Sequence, residues 1–358
     1  MLFQVLDSKA DCLGYYANNI IHPERRLPPE GSTWDYSPHM KGSQYEIARI
    51  YSQGATITDV CPEDMKEEWE KIKKTLKSCL KAFNTSRISM DENCFYDLVP
   101  EYFLYQYLEA KNKITAHVLE TFERPENYAH MHNLVALTSD IRHRPLNIDI
   151  GPIKHLLSSL KGQNFQRRLR STRLVCDYNP WGTVTGRLAA NPKSFPILTM
   201  SKEFRPCVQP HNDWLVELDF NAAELRILLA LCGEEQPQND IHDWNVTNVF
   251  SDQMTRDEAK VKTFAWLYSS NENKDLERLY NKSFVRNKYW DGFKIKTDYG
   301  RIMENVDEHH SLNYIIQSTT IDMVHEQAYK VYELLKGRKS HIAFLIHDAV
   351  YIDLAEED

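Results

Sequence analysis

Leu215-Val216-Glu217-Leu218-Asp219-Phe220-Asn221-Ala222-Ala223-Glu224-Leu225-Arg226 is the stretch on which the fold turns. A short, mainly apolar strand ends on a carboxylate, Asp219, and a helix carrying Glu224 and Arg226 starts directly behind it. That layout puts an acid on a rigid edge within reach of a metal ion. A second stretch does the same: Phe344-Leu345-Ile346-His347-Asp348-Ala349-Val350-Tyr351-Ile352 reads as two apolar strand halves around a polar dipeptide. Two carboxylates at the ends of adjacent strands suit a pair of divalent ions about 3.5–4 Å apart, the arrangement for in-line phosphoryl displacement. Either acid alone reads more often as a turn or cap residue. Their shared context favours the metal reading.

The totals fit a soluble globular protein of two or three subdomains: 358 residues, 42% hydrophobic, 26% charged. No run approaches the ~20 apolar residues of a membrane span. Met1-Leu2-Phe3-Gln4-Val5 lacks the basic start of a signal peptide. Seven scattered cysteines predict reduced thiols in a cytoplasm, the host's for a viral chain, with no disulfide frame or zinc site. The formal charge of −8 is unevenly spread: from Lys154 to Arg205, ten Lys or Arg face only Asp177 and Glu203. Such segregation suits a phosphate-tracking surface, with a solvated basic face as the other reading.

Along the chain, the alternation from Phe3 to Tyr16 predicts a hairpin around Ser8-Lys9-Ala10-Asp11, followed by a Pro/Gly-rich loop through Gly54. Met65, Trp69, Ile72, Leu76 and Leu80 recur at helical spacing, so 62–83 is predicted helical, as are 96–122 and 153–170. Residues 179–196 read as irregular, 256–335 as mainly helical and 342–354 as a closing hairpin.

Further constellations carry chemistry. Arg256, Lys260, Phe264 and Tyr268 recur every four residues, forming a stripe about 18 Å long on a helix face. Two cations followed by two rings make a ruler for a nucleoside triphosphate; a helix with a charged first turn and buried rings is the alternative. Thr185-Gly186-Arg187 lets the backbone approach a ligand closely and offers an Arg to minor-groove acceptors. Asn313 and Gln317, one turn apart, can read base or sugar edges or bond between helices.

Together these segments resemble the family A DNA polymerases, the group of bacterial DNA polymerase I and its phage relatives. Asp219-Phe220-Asn221-Ala222-Ala223-Glu224-Leu225-Arg226 resembles the family's Asp-Tyr-Ser-Gln-Ile-Glu-Leu-Arg, and the Arg256 to Tyr268 ladder its nucleotide-binding fingers helix. His347-Asp348 resembles its His-Asp-Glu, Thr185-Gly186-Arg187 its Thr-Gly-Arg, and Asp240-Ile241-His242 a shorter signature. The order is the family's, and the resemblance covers about residues 150–358. It implies an α+β right-hand polymerase fold: an antiparallel-sheet palm (140–232 and 302–358), helical fingers (233–301), a helical thumb (61–139) and an extension of unassigned role (1–60).

The resemblance also implies roles. Asp219 and Asp348 would bind two Mg²⁺ ions, with Mn²⁺ as a substitute. Arg256 and Lys260 would hold the triphosphate, Lys260 also protonating the departing pyrophosphate. Glu224 would exclude ribonucleotides, Phe264 would stack by the incoming sugar, and Tyr268 would close the pocket at the template base, with His242 among the nucleotide-binding residues. Arg187, Asn313, Gln317 and His347 would contact primer–template. The implied partners are primer–template DNA, deoxynucleoside triphosphates and replication accessory proteins; the chain is expected to act as a monomer away from membranes.

Several positions depart from the family pattern. Ser269 follows Tyr268 where Gly is usual, Ala349 replaces the Glu after His-Asp, and His309 stands where the family has Arg. The stretch from Tyr268 to Arg301 is short, suggesting trimmed fingers. Only ten residues follow Asp348, so either the palm closes differently or the sequence stops short. Asp7-Ser8-Lys9 is not the Asp-x-Glu of a proofreading exonuclease, and no 3′→5′ exonuclease is expected in this chain. A single-subunit RNA polymerase is the alternative enzyme, disfavoured by Glu224 and Phe264. A non-catalytic primer–template binding protein is the alternative of another class.

Overall fold

The computed structural model describes residues 1–7, 12–24, 26–40, 45–90, 92–251, 253–268 and 273–358. The chain is a mixed α+β protein that divides into two compact units, Met1–His143 and Arg144–Asp358. Among the described residues, no helix is long and apolar enough to cross a membrane.

The first unit opens with β1 (Phe3–Val5), β2 (Tyr15–Ala17) and β3 (Ile20–His22) in an antiparallel sheet, with Phe3 opposite Ala17. The expected hairpin is present, although its tip at Ser8–Asp11 lies outside the described residues. The stretch read as loop is more ordered than its composition suggests. Within it, β4 (Gly31–Thr33) pairs in parallel with β5 (Tyr45–Ile47), and α1 (Ala48–Tyr51) follows. Parallel pairing joins residues far apart in sequence, so local alternation does not reveal it.

Four helices complete this unit: α2 (Lys66–Thr85), α3 (Phe95–Leu98), α4 (Glu101–Thr121) and α5 (Tyr128–His143). The single helix expected over 96–122 is two, because Pro100 has no N–H to continue α3 and holds Val99 extended. On α2, Trp69 and Ile72 face inward and pack with Phe103, Leu104 and Leu108 of α4. Trp69 stacks on Tyr107 at 6.0 Å and donates its indole N–H to Thr58 at 3.0 Å. Glu67 and Glu68 stand in the first turn of α2, where carboxylates match the helix dipole. Buried Gln4 ties β1 to α4 by donating to Asn112 (2.9 Å) and Thr115 (3.2 Å). Cys12 and Cys94 form a disulfide, correcting the expectation of reduced thiols throughout. Their separation of 82 residues hides the pair from any spacing rule.

The second unit runs through β6 (Asn147–Ile148), α6 (Leu160–Ser171), β7 (Tyr178–Asn179), β8 (Ala189–Ala190), β9 (Val208–Gln209) and β10 (Trp214–Asp219). The helix expected over 153–170 begins as a 3-10 turn at Gly151–Leu156 and restarts at Leu160, where the Ser159 hydroxyl accepts from the Gly162 N–H. Then come α7 (Ala223–Leu231), α8 (Ile241–Asn248), α9 (Arg256–Leu267), α10 (Lys274–Leu279) and α11 (Lys282–Tyr289). A two-stranded ribbon, β11 (Ile295–Lys296) with β12 (Ile302–Met303), interrupts the helical region. The long α12 (Glu308–Leu335) and the hairpin β13 (His341–Ile346) with β14 (Ala349–Leu354) close the unit.

The sheet that carries both acids has the order β10-β14-β13, antiparallel throughout. Leu225, Leu228 and Leu229 of α7 are fully buried with Ile315 and Ile316 of α12, each side chain contributing about 1.5–3 kcal/mol. Tyr178 secures the outer edge of β13: its hydroxyl donates to the Leu345 carbonyl (2.7 Å) and accepts from the Leu345 N–H (2.9 Å). Those two backbone groups face away from β14 and would otherwise lack partners in the interior.

Candidate functional site

Strand register sets the first part of the site. Asp219, the last residue of β10, lies opposite Ala349, and Ala349 lies opposite Ile346. Only His347 and Asp348 join β13 to β14, with His347 in the left-handed region at φ 54°. Asp348 therefore sits beside Asp219 at one end of the sheet. Burial raises the Asp219 carboxyl above its ordinary pKa, and the charges of Asp348 and Glu217 add to the rise, while Lys202 opposes it. Glu217, two residues before Asp219 on the same strand face, accepts from the Tyr351 hydroxyl at 2.6 Å. Sequence reading passed over this third carboxylate, although a period of two from Asp219 marks it.

These donors fit a hard cation. Clustered carboxylate oxygens are the ligands that Mg²⁺ prefers, and a bound cation would offset both the desolvation and the mutual repulsion that raise the Asp219 pKa.

Beside the acids is a cavity of about 380 Å³ lined by Arg187, Glu224, Phe264, Gln317, His347 and Asp348. Five separate segments supply these residues. Glu224 rides on the first turn of α7, which follows Ala222 in the left-handed conformation at φ 49°. A non-glycine residue there is uncommon, and the tight turn swings α7 back from the strand end. The Glu224 carboxylate accepts from Arg187 at 2.8 Å and from the Tyr268 hydroxyl. Burial raises its pKa and Asp348 adds to the rise, against the lowering effect of Arg187. Gln317 donates its amide nitrogen to the Thr185 hydroxyl (2.7 Å) and accepts from Arg187 (2.6 Å) through its carbonyl.

The stripe residues are on α9, whose start is fixed by a reciprocal cap between Thr255 and Glu258. The helix ends at Leu267, so Tyr268 is its C-cap, yet its ring stacks on Phe264 at 6.1 Å and 9°. Lys260 is exposed. Arg256 is engaged by Asp240 at 2.8 and 3.2 Å. Asp240 also caps α8, accepting from the His242 and Asp243 N–H groups, and receives the Asn221 side chain at 3.2 Å. Arg256 and these other hydrogen bonds hold the Asp240 carboxyl far below the usual carboxylate range.

His242 is buried behind Phe264, ring to ring at 5.6 Å, instead of facing the cavity; burial lowers its pKa. Asn313 lines a second, larger cleft of about 810 Å³ together with Tyr268, Lys282, Arg286 and His309. Ser269 lies outside the described residues.

No family model matches the chain. Over 235 residues, 51% of this chain and 28% of the other, it is 24% identical to "DNA polymerase I, thermostable" of Thermus thermophilus. Over 239 residues, 52% of this chain and 29% of the other, it is 23% identical to the protein of the same name from Thermus aquaticus. The chain thus spans about three-tenths of the length of these curated relatives. In fold it is similar to the POL domain of Pol1 from M. smegmatis, solved in complex with DNA primer-template and dNTP. That match has a TM-score of 0.53 at 14% identity and covers 71% of this chain and 70% of the other. In sequence the chain is thus distantly similar to family A, Pol I-like DNA polymerases, and in fold it is similar to a polymerase domain of that kind.

Proposed function

We propose that the chain is a template-directed DNA polymerase that adds deoxynucleotides to a primer 3′ end by phosphoryl transfer. One observation carries the reading: Arg187, Glu224, Phe264, Gln317, His347 and Asp348 line a single cavity, with Asp219 opposite Ala349, the neighbour of Asp348. Residues 140–232 and 302–358 would serve as palm, 233–301 as fingers and 61–139 as a helical thumb.

Asp219 and Asp348 would hold Mg²⁺, which supplies charge neutralisation at the transferring phosphate and lowers the pKa of the attacking hydroxyl. The primer 3′-hydroxyl gives up its proton to water, and its oxygen forms a bond to the α-phosphorus while the α–β phosphoanhydride bond breaks. Lys260 hands a proton to the departing pyrophosphate, and Arg256 shares its charge between Asp240 and the phosphates. The chain does little covalent chemistry; it positions groups and neutralises charge. Phe264, stacked on Tyr268 and backed by His242, would lie against the incoming sugar. Glu224, fixed by Arg187 and Tyr268, would occupy the space a 2′-hydroxyl needs. Arg187, Gln317, Asn313 and His347 would meet primer–template, with the cleft beside Asn313 available to the template strand.

Primer extension with Mg²⁺ and each nucleotide class tests this. Extension with dNTPs is expected, falling about a thousandfold or more, several kcal/mol of lost transition-state stabilisation, in Asp219→Ala and Asp348→Ala. Extension by either variant at near wild-type rate would refute the assignment. Preference for rNTPs would mark an RNA polymerase, and DNA binding without incorporation a non-catalytic binder.

A further inference from the structure

The loop that presents Arg187 rests on a residue that no sequence motif singled out. Gly186 has φ +85°, and a Cβ built on it would overlap the guanidinium of Arg301. The bare glycine backbone therefore lies directly against that planar cation, a closeness only Gly permits. Arg301 is held in turn from behind. Its Nε and Nη2 donate to the two carboxylate oxygens of Asp322 at 2.9 and 2.5 Å, and Asp322 is fully buried on α12. A two-point Arg–carboxylate pair of this kind fixes the guanidinium plane as well as its position.

The ribbon that delivers Arg301 is itself anchored. The Thr297 N–H donates to the Arg301 carbonyl (3.0 Å), and the Arg301 N–H donates to the Thr297 hydroxyl (3.2 Å). Tyr299, at the ribbon tip, donates its hydroxyl to Glu326 at 2.8 Å, one helical turn beyond Asp322 on α12. Closer to the start of α12, Gln317 takes hold of Thr185 and Arg187. The 183–187 loop is thus supported by α12 twice: directly through Gln317, and through Asp322 and Arg301 under Gly186.

We propose that Arg301, backed by Asp322, is a positioning residue that sets where Arg187 stands between Glu224 and Gln317. This rests on the reading of Arg187 as a primer–template contact. Arg301 is outside the set of residues that line the cavity; it acts through the glycine. Lysine at 301 keeps the charge opposite Asp322 but loses the flat surface and the two-point grip.

The test compares wild type with Arg301→Lys, Gly186→Ala and the double variant. Measurements are the dissociation constant for a fluorescent primer–template duplex, dNTP KM, Tm, and deuterium exchange of the 183–187 amides. Arg301→Lys is expected to fold with a Tm near that of wild type. It should weaken duplex binding roughly tenfold, change dNTP KM less than threefold and speed exchange in 183–187. Gly186→Ala should weaken binding to at least a similar degree, yet cost less on top of Arg301→Lys than alone, because the overlap with the arginine is lost there while the strain of an alanine at φ +85° remains. Wild-type binding and exchange in Arg301→Lys overturn the proposal, as do fully multiplicative effects of the two changes. A wild type that binds no duplex overturns the polymerase reading instead, and the exchange data alone then decide whether Arg301 supports the loop.

Discussion

Replacing Asp348 by Asn separates two contributions of the acid pair, one to stability and one to metal binding. Asp219 lies opposite Ala349, the neighbour of Asp348. Side chains on neighbouring strands at opposite or diagonal positions come within roughly 5–8 Å of one another, and about 6 Å serves as the working separation of the two carboxylates. Two charges at that distance repel by about 0.7 kcal/mol in a water-like dielectric and about 3 kcal/mol in a partly desolvated one. Asp219 is largely open to solvent despite the partial desolvation that raises its pKa, so the smaller figure governs. Without metal, Asp348→Asn should therefore stabilise the second unit by about 0.7 kcal/mol, or roughly 2 °C in Tm. The raised Asp219 pKa means that its ionisation opposes folding. Stability is complete below the ordinary carboxylate range and is lost as pH rises through the raised value. The advantage of the variant should accordingly vanish in acid and be full at neutral pH. Mg²⁺ at a hundredfold above its dissociation constant should stabilise wild type by about 2.7 kcal/mol, and the variant far less at the same concentration. Thermal scans of both proteins, with EDTA and with Mg²⁺, at acid and neutral pH, check all three points. A variant that is less stable in EDTA, or that gains as much from Mg²⁺ as wild type, refutes the reasoning.

Three other outcomes follow from the same structure. Tyr178→Phe should lower stability by about 2 kcal/mol in urea unfolding, since the Leu345 N–H and carbonyl lose their shared partner; a loss under about 0.5 kcal/mol would mean that the edge of β13 finds other partners. Cys12→Ser opens a loop of 82 residues and should destabilise the first unit by up to about 4 kcal/mol. Reductant should bring wild type to the level of the variant, and a wild type indifferent to reductant contradicts this. Pure protein given a mismatched primer should release no mononucleotides; release abolished by substitutions in this chain would show an exonuclease the sequence did not reveal.

Local signals explain what could be read early. The strand before Asp219, the helix after it and the 342–354 hairpin each announce themselves through a period confined to neighbouring residues. Composition misled where pairing is distant. The stretch before Gly54 reads as loop because β4 and β5 find each other in parallel across a long connection. Pro100 was in plain view, yet the apolar run around it outweighed the break it imposes. His242 shows what a motif leaves open: its place in the chain marks it as a candidate, and only the fold sets its ring 5.6 Å from that of Phe264.

The sequence by itself determined which residues carry charge and rings, in what order, and at what spacing on each helix and strand, because those properties depend on neighbours a few positions away. Only the tertiary structure decided that Asp219 falls opposite Ala349 and so beside Asp348, that Cys12 meets Cys94, and that Arg301 closes on Asp322 beneath Gly186. Such contacts join residues tens to more than a hundred positions apart, and their geometry is set by core packing and strand register.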